Sequence, residues 1–66
     1  MQLVINGQEQ CRTDGITLGA LLEELQLPPA RVVVERNREI VPREALHDLA
    51  LTDGDHLEIV RLVGGG

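Results

Sequence analysis

The sequence has no tryptophan, tyrosine or phenylalanine, no lysine, and a single cysteine. Without aromatics, the core must be built from Leu, Ile and Val, and the stacking platforms that hold single-stranded nucleic acid are excluded. Without lysine, all six basic residues are arginines, and the chain cannot be joined to a copy of itself through a lysine isopeptide bond. Eleven acidic residues set against them leave a formal net charge of −5. An acidic chain with no basic stripe argues against nucleic acid, because phosphate neutralisation needs clustered positive charge. One cysteine, Cys11, cannot form an internal disulfide, which fits a reducing compartment. No segment approaches the roughly 20 apolar residues that span a bilayer. The opening Met1–Ile5 has no basic region and is interrupted by Asn6-Gly7, unlike a secretory leader. The expected location is therefore the cytoplasm.

What remains is short and ordinary in apolar content, 66 residues with 42% hydrophobic side chains. That length allows one domain, which buries only about 60% of the surface of its unfolded chain. A thin core leaves little room for a deep catalytic cleft and lowers the expectation of an enzyme.

Leu3 and Ile5 alternate with Gln2 and Val4 as in a strand, and Asn6-Gly7 is a hairpin signal because both residues tolerate positive φ. A second strand is expected from about Glu9 to Thr13, with Cys11 inward, ending at the Asp14-Gly15 turn. Thr17 is a good N-cap, and Leu18, Leu21, Leu22 and Leu25 recur at helical spacing. Pro28-Pro29 stops that helix. Val32-Val33-Val34, within Arg31 to Arg36, suits a strand. Asn37-Arg38-Glu39 reads as a turn, Ile40-Val41 as a short return strand, and Pro42 to His47 as a single helical turn. Asp53-Gly54-Asp55 is a tight turn before a last strand from about His56 to Leu62. The order β-β-α-β-β-β predicts an α+β fold of the β-grasp, ubiquitin-like kind. It would have a small mixed sheet of four to five strands packed on one helix. The predicted domain covers residues 1–63, followed by a flexible glycine tail over residues 64–66.

Alternation along the last strand sends Leu57 and Ile59 inward and leaves His56, Glu58, Val60 and Leu62 on the other face. Val4 would face outward too. Exposed aliphatic residues beside a tail predict a docking patch of Val4, Val60 and Leu62 with Arg61 beside it. Arg36, Arg38, Arg43 and Arg61 are candidates for polar contacts at its rim, where charge acts on encounter rate and specificity. The final Gly64-Gly65-Gly66 adds no side chain to a fold. Lacking Cβ atoms, it can thread a narrow channel, and three extended residues span on the order of 10 Å.

Other chemistry finds little support. Cys11 has no lysine beside it to activate a thiolate, and a structural role is expected. His47 and His56 lack the further ligands of a metal site and read as surface residues. Glu23 and Glu24, adjacent on a helix, diverge. Asp53 and Asp55 are too few oxygens for a calcium loop. Gly15 and Gly19 match no phosphate-loop spacing, and no nucleophile–base–orienter set is present.

Over its whole length the chain resembles the thiamine-biosynthesis sulfur-carrier family, ThiS. The resemblance is carried by Met1-Gln2-Leu3-Val4-Ile5-Asn6-Gly7, by Thr17-Leu18 with Leu21-Leu22, and by Glu35-Arg36-Asn37 with Glu39-Ile40-Val41-Pro42-Arg43. Asp53-Gly54-Asp55 and the ending Val63-Gly64-Gly65-Gly66 complete it. The competing families are the small subunit of molybdopterin synthase, other thiocarboxylate carriers, ubiquitin-like modifiers and non-covalent β-grasp modules. The molybdopterin subunit tends to carry prolines where this chain reads Arg61-Leu62-Val63.

The resemblance implies a protein co-substrate rather than an enzyme. An E1-like, ThiF-like adenylyltransferase would use ATP to adenylate Gly66. Sulfur from a cysteine desulfurase persulfide or another donor would convert it to a thiocarboxylate. Thiazole synthase (ThiG) would then take the sulfur. Gly64 and Gly65 would thread the tail, ATP would belong to the partner with no cofactor on this chain, and the free carrier would be a monomer.

Overall fold

The structure, a computed structural model, describes residues 1–63. The first hairpin joins β1 (Gln2–Ile5) to β2 (Gln8–Cys11) through Asn6 and Gly7, at φ 49° and 82°. Two successive left-handed residues match the twist of an antiparallel pair, so the turn fixes the register Gln2 opposite Cys11 and Val4 opposite Glu9. That register corrects the inward placement of Cys11. The core-facing residues of β1 are Leu3 and Ile5, whose partners are Gln10 and Gln8. Cys11 shares the other face with Gln2, is exposed, and directs its Sγ at Gln2 Oε1, 3.0 Å away. The strand also begins and ends earlier than expected, because the two-residue turn consumes no more chain.

Helix α1 (Leu18–Glu24) starts where Thr17 caps it, Thr17 Oγ1 accepting from the Ala20 amide at 3.1 Å. The amides of Leu18 and Gly19 donate instead to the carbonyls of Leu49 and His47. The first-turn donors, which no helix can satisfy internally, are thus met by the segment that closes the core. The helix ends before the prolines are reached. Gln26 turns left-handed at φ 61°, the Leu27 amide donates to Leu22 and the Gln26 amide to Glu23. This is a Schellman end with glutamine where glycine is commoner, and Pro28-Pro29 follow it.

A 3-10 turn (Pro29–Arg31) leads to β3 (Val32–Arg36). A second left-handed pair, Asn37 and Arg38, connects it to β4 (Glu39–Ile40). The helical turn expected over Pro42 to His47 is a 3-10 turn, Arg43–Ala45. The last strand among the described residues is β5 (His56–Arg61). Strand order is β2-β1-β5-β3-β4, with β1 and β5 parallel and the other neighbours antiparallel.

One face of this sheet and Leu18, Leu21 and Leu22 of α1 form the core, with Leu3, Ile5, Val32, Val34, Leu57 and Ile59 from the strands. Val41, Leu46 and Leu51 close it from the connecting segment. Full burial of each such side chain contributes about 1.5–3 kcal/mol. No helix among the described residues is long and apolar enough to cross a membrane.

Gly19 is fixed by a close approach. A Cβ there would lie 2.5 Å from the His47 backbone oxygen and 2.9 Å from its Nδ1. The carbonyl belongs to the strap that supplies the helix with acceptors, so it cannot retreat without losing the Gly19 hydrogen bond. Overpacking of this kind costs about 1–3 kcal/mol, and the better helix propensity of alanine offsets at most about 1 kcal/mol. Gly19→Ala is expected to lower the urea midpoint of unfolding by the equivalent of about 1–2 kcal/mol.

Candidate functional site

The site is built around β5, which is hydrogen-bonded on both sides, to β1 through Val4 and Ile5 and to β3 from Val32 to Arg36. Two asparagines in the left-handed turns hold it by their side chains. Asn6 Oδ1 accepts from the Ile59 amide at 2.7 Å, and its Nδ2 donates to the Ile59 carbonyl at 3.3 Å. Asn37 Oδ1 accepts from the His56 amide at 3.0 Å, and its Nδ2 donates to Asp55 Oδ1 at 3.1 Å. Among the described residues, the last tie along the strand is the Leu62 amide to the Arg31 carbonyl at 2.8 Å. Val63 beyond it is fully in solvent, 87% exposed. Gly64, Gly65 and Gly66 lie outside the described residues.

Just before β5, Asp55 is only 4% exposed. Its carboxylate accepts from the Thr52 amide at 2.8 Å, the Thr52 hydroxyl at 3.1 Å, Asn37 Nδ2 and Arg36 Nε at 2.9 Å. Burial pushes this carboxyl up. The Thr52 amide, Asn37, Arg36 and the Thr52 hydroxyl together outweigh burial and hold the group below its ordinary value. A folded-state pKa below the unfolded one adds stability above the unfolded value, about 3.9. That stability is lost as pH falls through the folded value. The urea midpoint of the wild type should therefore fall toward that of Asp55→Asn as pH is lowered from about 5 to 3, while a constant gap between them would refute the linkage.

The face of the sheet away from α1 is open, and register sets what lies side by side on it. Val33 of β3 faces Val60 of β5, Glu35 faces both Glu58 and Ile40, and Val4 stands level with His56. Val60 and Leu62 are 57% and 46% exposed, as alternation required, and Ile40 is 66% exposed. Val33, half-buried beside Val60, and Ile40 join this group. Neither was singled out from sequence, since only the cross-strand register reveals them.

Val4 does not reach the group. Four residues of strand separate its level from Val60, about 13 Å, and Glu58 lies between. Arg61 pairs with Val32, so alternation turns it to the helix-bearing side, opposite Val60 and Leu62. Arg36 is engaged with Asp55, and Arg43 donates to the Pro29 carbonyl at 3.1 Å. Of the four arginines proposed for the rim, Arg38 alone borders the open face, in a shallow depression with Val4, Asn6, Glu35, His56 and Glu58.

The two histidines are separated by the sheet, with His56 on the open face and His47 against Gly19 of the helix. Both are exposed, and among the described residues no group of three His, Cys, Asp or Glu side chains could hold a metal ion.

A five-stranded mixed sheet in this order, crossed on one face by a single helix, defines a β-grasp, ubiquitin-like protein. The ThiS family model matches residues 3–66, and the chain belongs to the ThiS family. It is 43% identical over 65 residues to the sulfur carrier protein ThiS of Bacillus subtilis, covering 97% of this chain and 98% of that one. A crystal structure of the thiamine biosynthesis protein ThiS from Geobacter metallireducens superposes with a TM-score of 0.82 at 33% identity, covering both chains completely. A thiazole synthase of Paramagnetospirillum magneticum is 50% identical over the 66 residues, of which this chain spans 20% of the length.

Proposed function

We propose that the chain is a sulfur carrier for thiazole formation in thiamine biosynthesis and that its working group is the carboxylate of Gly66. The observation that carries this reading is the family match through residue 66, joined to a strand whose last tie is at Leu62. From Leu62 onward the four residues to Gly66 can extend about 13–14 Å. On this reading an extended tail of that length would carry the carboxylate clear of the globular body and to a partner's active site.

A carboxylate repels nucleophiles, so the reading needs activation. A ThiF-like adenylyltransferase consumes ATP, joins AMP to Gly66 and releases pyrophosphate. A persulfide from a cysteine desulfurase, or another sulfur donor, then displaces AMP, and reductive release of the donor leaves the thiocarboxylate. Thiazole synthase takes the sulfur, and the carboxylate returns. The carrier contributes position rather than acid–base chemistry, with Gly64 and Gly65 as the threading segment. Of the docking candidates, Val60 and Leu62 are the pair that shares the open face next to the tail, with Val4 farther along the sheet and Arg61 on its other side. ATP belongs to the partner.

The relationship to a thiazole synthase five times longer favours thiazole over molybdopterin as the destination of the sulfur. The test is intact-mass measurement after incubation with the adenylyltransferase, ATP and a sulfur donor. Replacement of one oxygen by sulfur at the C-terminus is expected. An unchanged mass, with a competent enzyme shown on a known carrier, would sink the reading.

A further inference from the structure

We infer that the open face of the sheet receives a surface of thiazole synthase that sets an arginine or lysine between apolar side chains, the cation landing on Glu35 and Glu58. This rests on the proposed function for the partner's identity and adds the chemistry of the contact.

Three observations lead there. Val33, Val60 and Leu62 form an apolar step at the end of β5 where the tail begins, and Ile40 stands exposed two strands away. This step adjoins the point at which the chain leaves β5, so a partner that takes the tail meets it first. Between Val60 and His56, Glu58 stands directly opposite Glu35 across the β3–β5 pair. Like charges facing each other across a sheet destabilise it, and no ion pair within 4.0 Å relieves either one among the described residues. Arg38 borders the same depression, but one guanidinium against two carboxylates leaves negative charge in surplus. A partner cation would turn the repulsive pair into an attractive triad. Apolar neighbours on both sides, Val60 with Val33 and Ile40 beside Glu35, would exclude water from it.

The repulsion and the docking predict opposite signs for the same substitution. With the full chain as probe and no adenylyltransferase or ATP present, so that no sulfur chemistry intervenes, binding to thiazole synthase from the same organism is measured by calorimetry and by association kinetics. Glu35→Gln with Glu58→Gln is expected to weaken binding about tenfold or more, to slow association and to flatten its salt dependence. The thermal midpoint of the free chain should stay level or rise. Glu23→Gln with Glu24→Gln, an identical charge change on α1, should alter binding less than about twofold. Val60→Asp should abolish detectable binding with its circular dichroism retained.

Equal effects of the two glutamate pairs, wild-type binding by Glu35→Gln with Glu58→Gln or by Val60→Asp, or no binding by the parent chain would each overturn the inference. Failure of the mass test with glutamate-dependent binding intact would instead remove the sulfur-carrier reading and leave the docking face standing.

Discussion

Deleting Gly66 is expected to reduce sulfur transfer at least a hundredfold while leaving the thermal midpoint within about 1 °C of the full chain. The deletion is chemically mild, because the new end, Gly65, is again a glycine carboxylate. What changes is reach. One extended residue retracts the carboxylate by about 3.3–3.6 Å, and displacing a reacting group by even about 1 Å can cost a hundredfold in rate. Stability should be indifferent, since glycine offers no side chain to the core. The measurement is the rate of pyrophosphate release on adenylation beside a thermal melt of the same sample. A shortened chain that is adenylated at the full rate would show that the enzyme reads the tail loosely. It would also move the weight of recognition wholly to the sheet. A matched loss of folding and transfer would show that the end of the chain serves the domain instead.

The second large effect is expected at Asp55. Asp55→Ala deletes the acceptor of four hydrogen bonds at once and leaves the Thr52 amide, Asn37 and Arg36 without their partner. Removing one member of a buried charged pair costs about 3–5 kcal/mol. The Arg36 side chain is 28% exposed and can turn to water, which brings the expected loss to about 3 kcal/mol. A domain of this size has a total stability of only about 3–10 kcal/mol. The thermal midpoint should therefore fall by more than about 10 °C. Asp55→Asn, which keeps the shape and part of the hydrogen bonding, should lie between. Hydrogen exchange gives a sharper readout, because Asn37 links Asp55 to the His56 amide. Protection should drop first at the start of β5. A uniform drop would mean that the network supports the domain as a whole rather than the strand that bears the tail.

Much of this was legible in the chain, and particular residues show why. Asn6-Gly7, Thr17, and the spacing of Leu18, Leu21 and Leu22 are local signals, and each produced the element it announced. The alternation of Leu57 and Ile59 with Val60 was equally direct. What failed were inferences that needed a neighbour. Cys11 was assigned inward from its own strand, whereas its face was decided by its pairing with Gln2. Val4 and Val60 were grouped because both face outward, but outwardness does not give height along the sheet. Arg61 was grouped with Val60 for adjacency in sequence, though adjacent strand residues point to opposite sides. Asp55 read as half of a surface turn, and only the folded chain brings Arg36 and Asn37 to it. Val33 was part of an apolar run until the β3–β5 register put it beside Val60. The chemistry assigned to the glycines came from the family resemblance, since a glycine tail carries no side-chain signal of its own.

The parallel pairing of β1 with β5 has a practical consequence for handling the protein. Because Val4 is level with His56, the chain enters the sheet at the end opposite the one it leaves by. Gln2 stands about eight strand residues from the level of Leu62, on the order of 26 Å. An anchor attached ahead of Met1, whether a surface linker, a fluorophore or a fused domain, sits at the far end of the sheet from Leu62. Immobilisation through that end leaves the end of β5 facing bulk solution, whereas coupling through Cys11 would plant the label on the open sheet face itself.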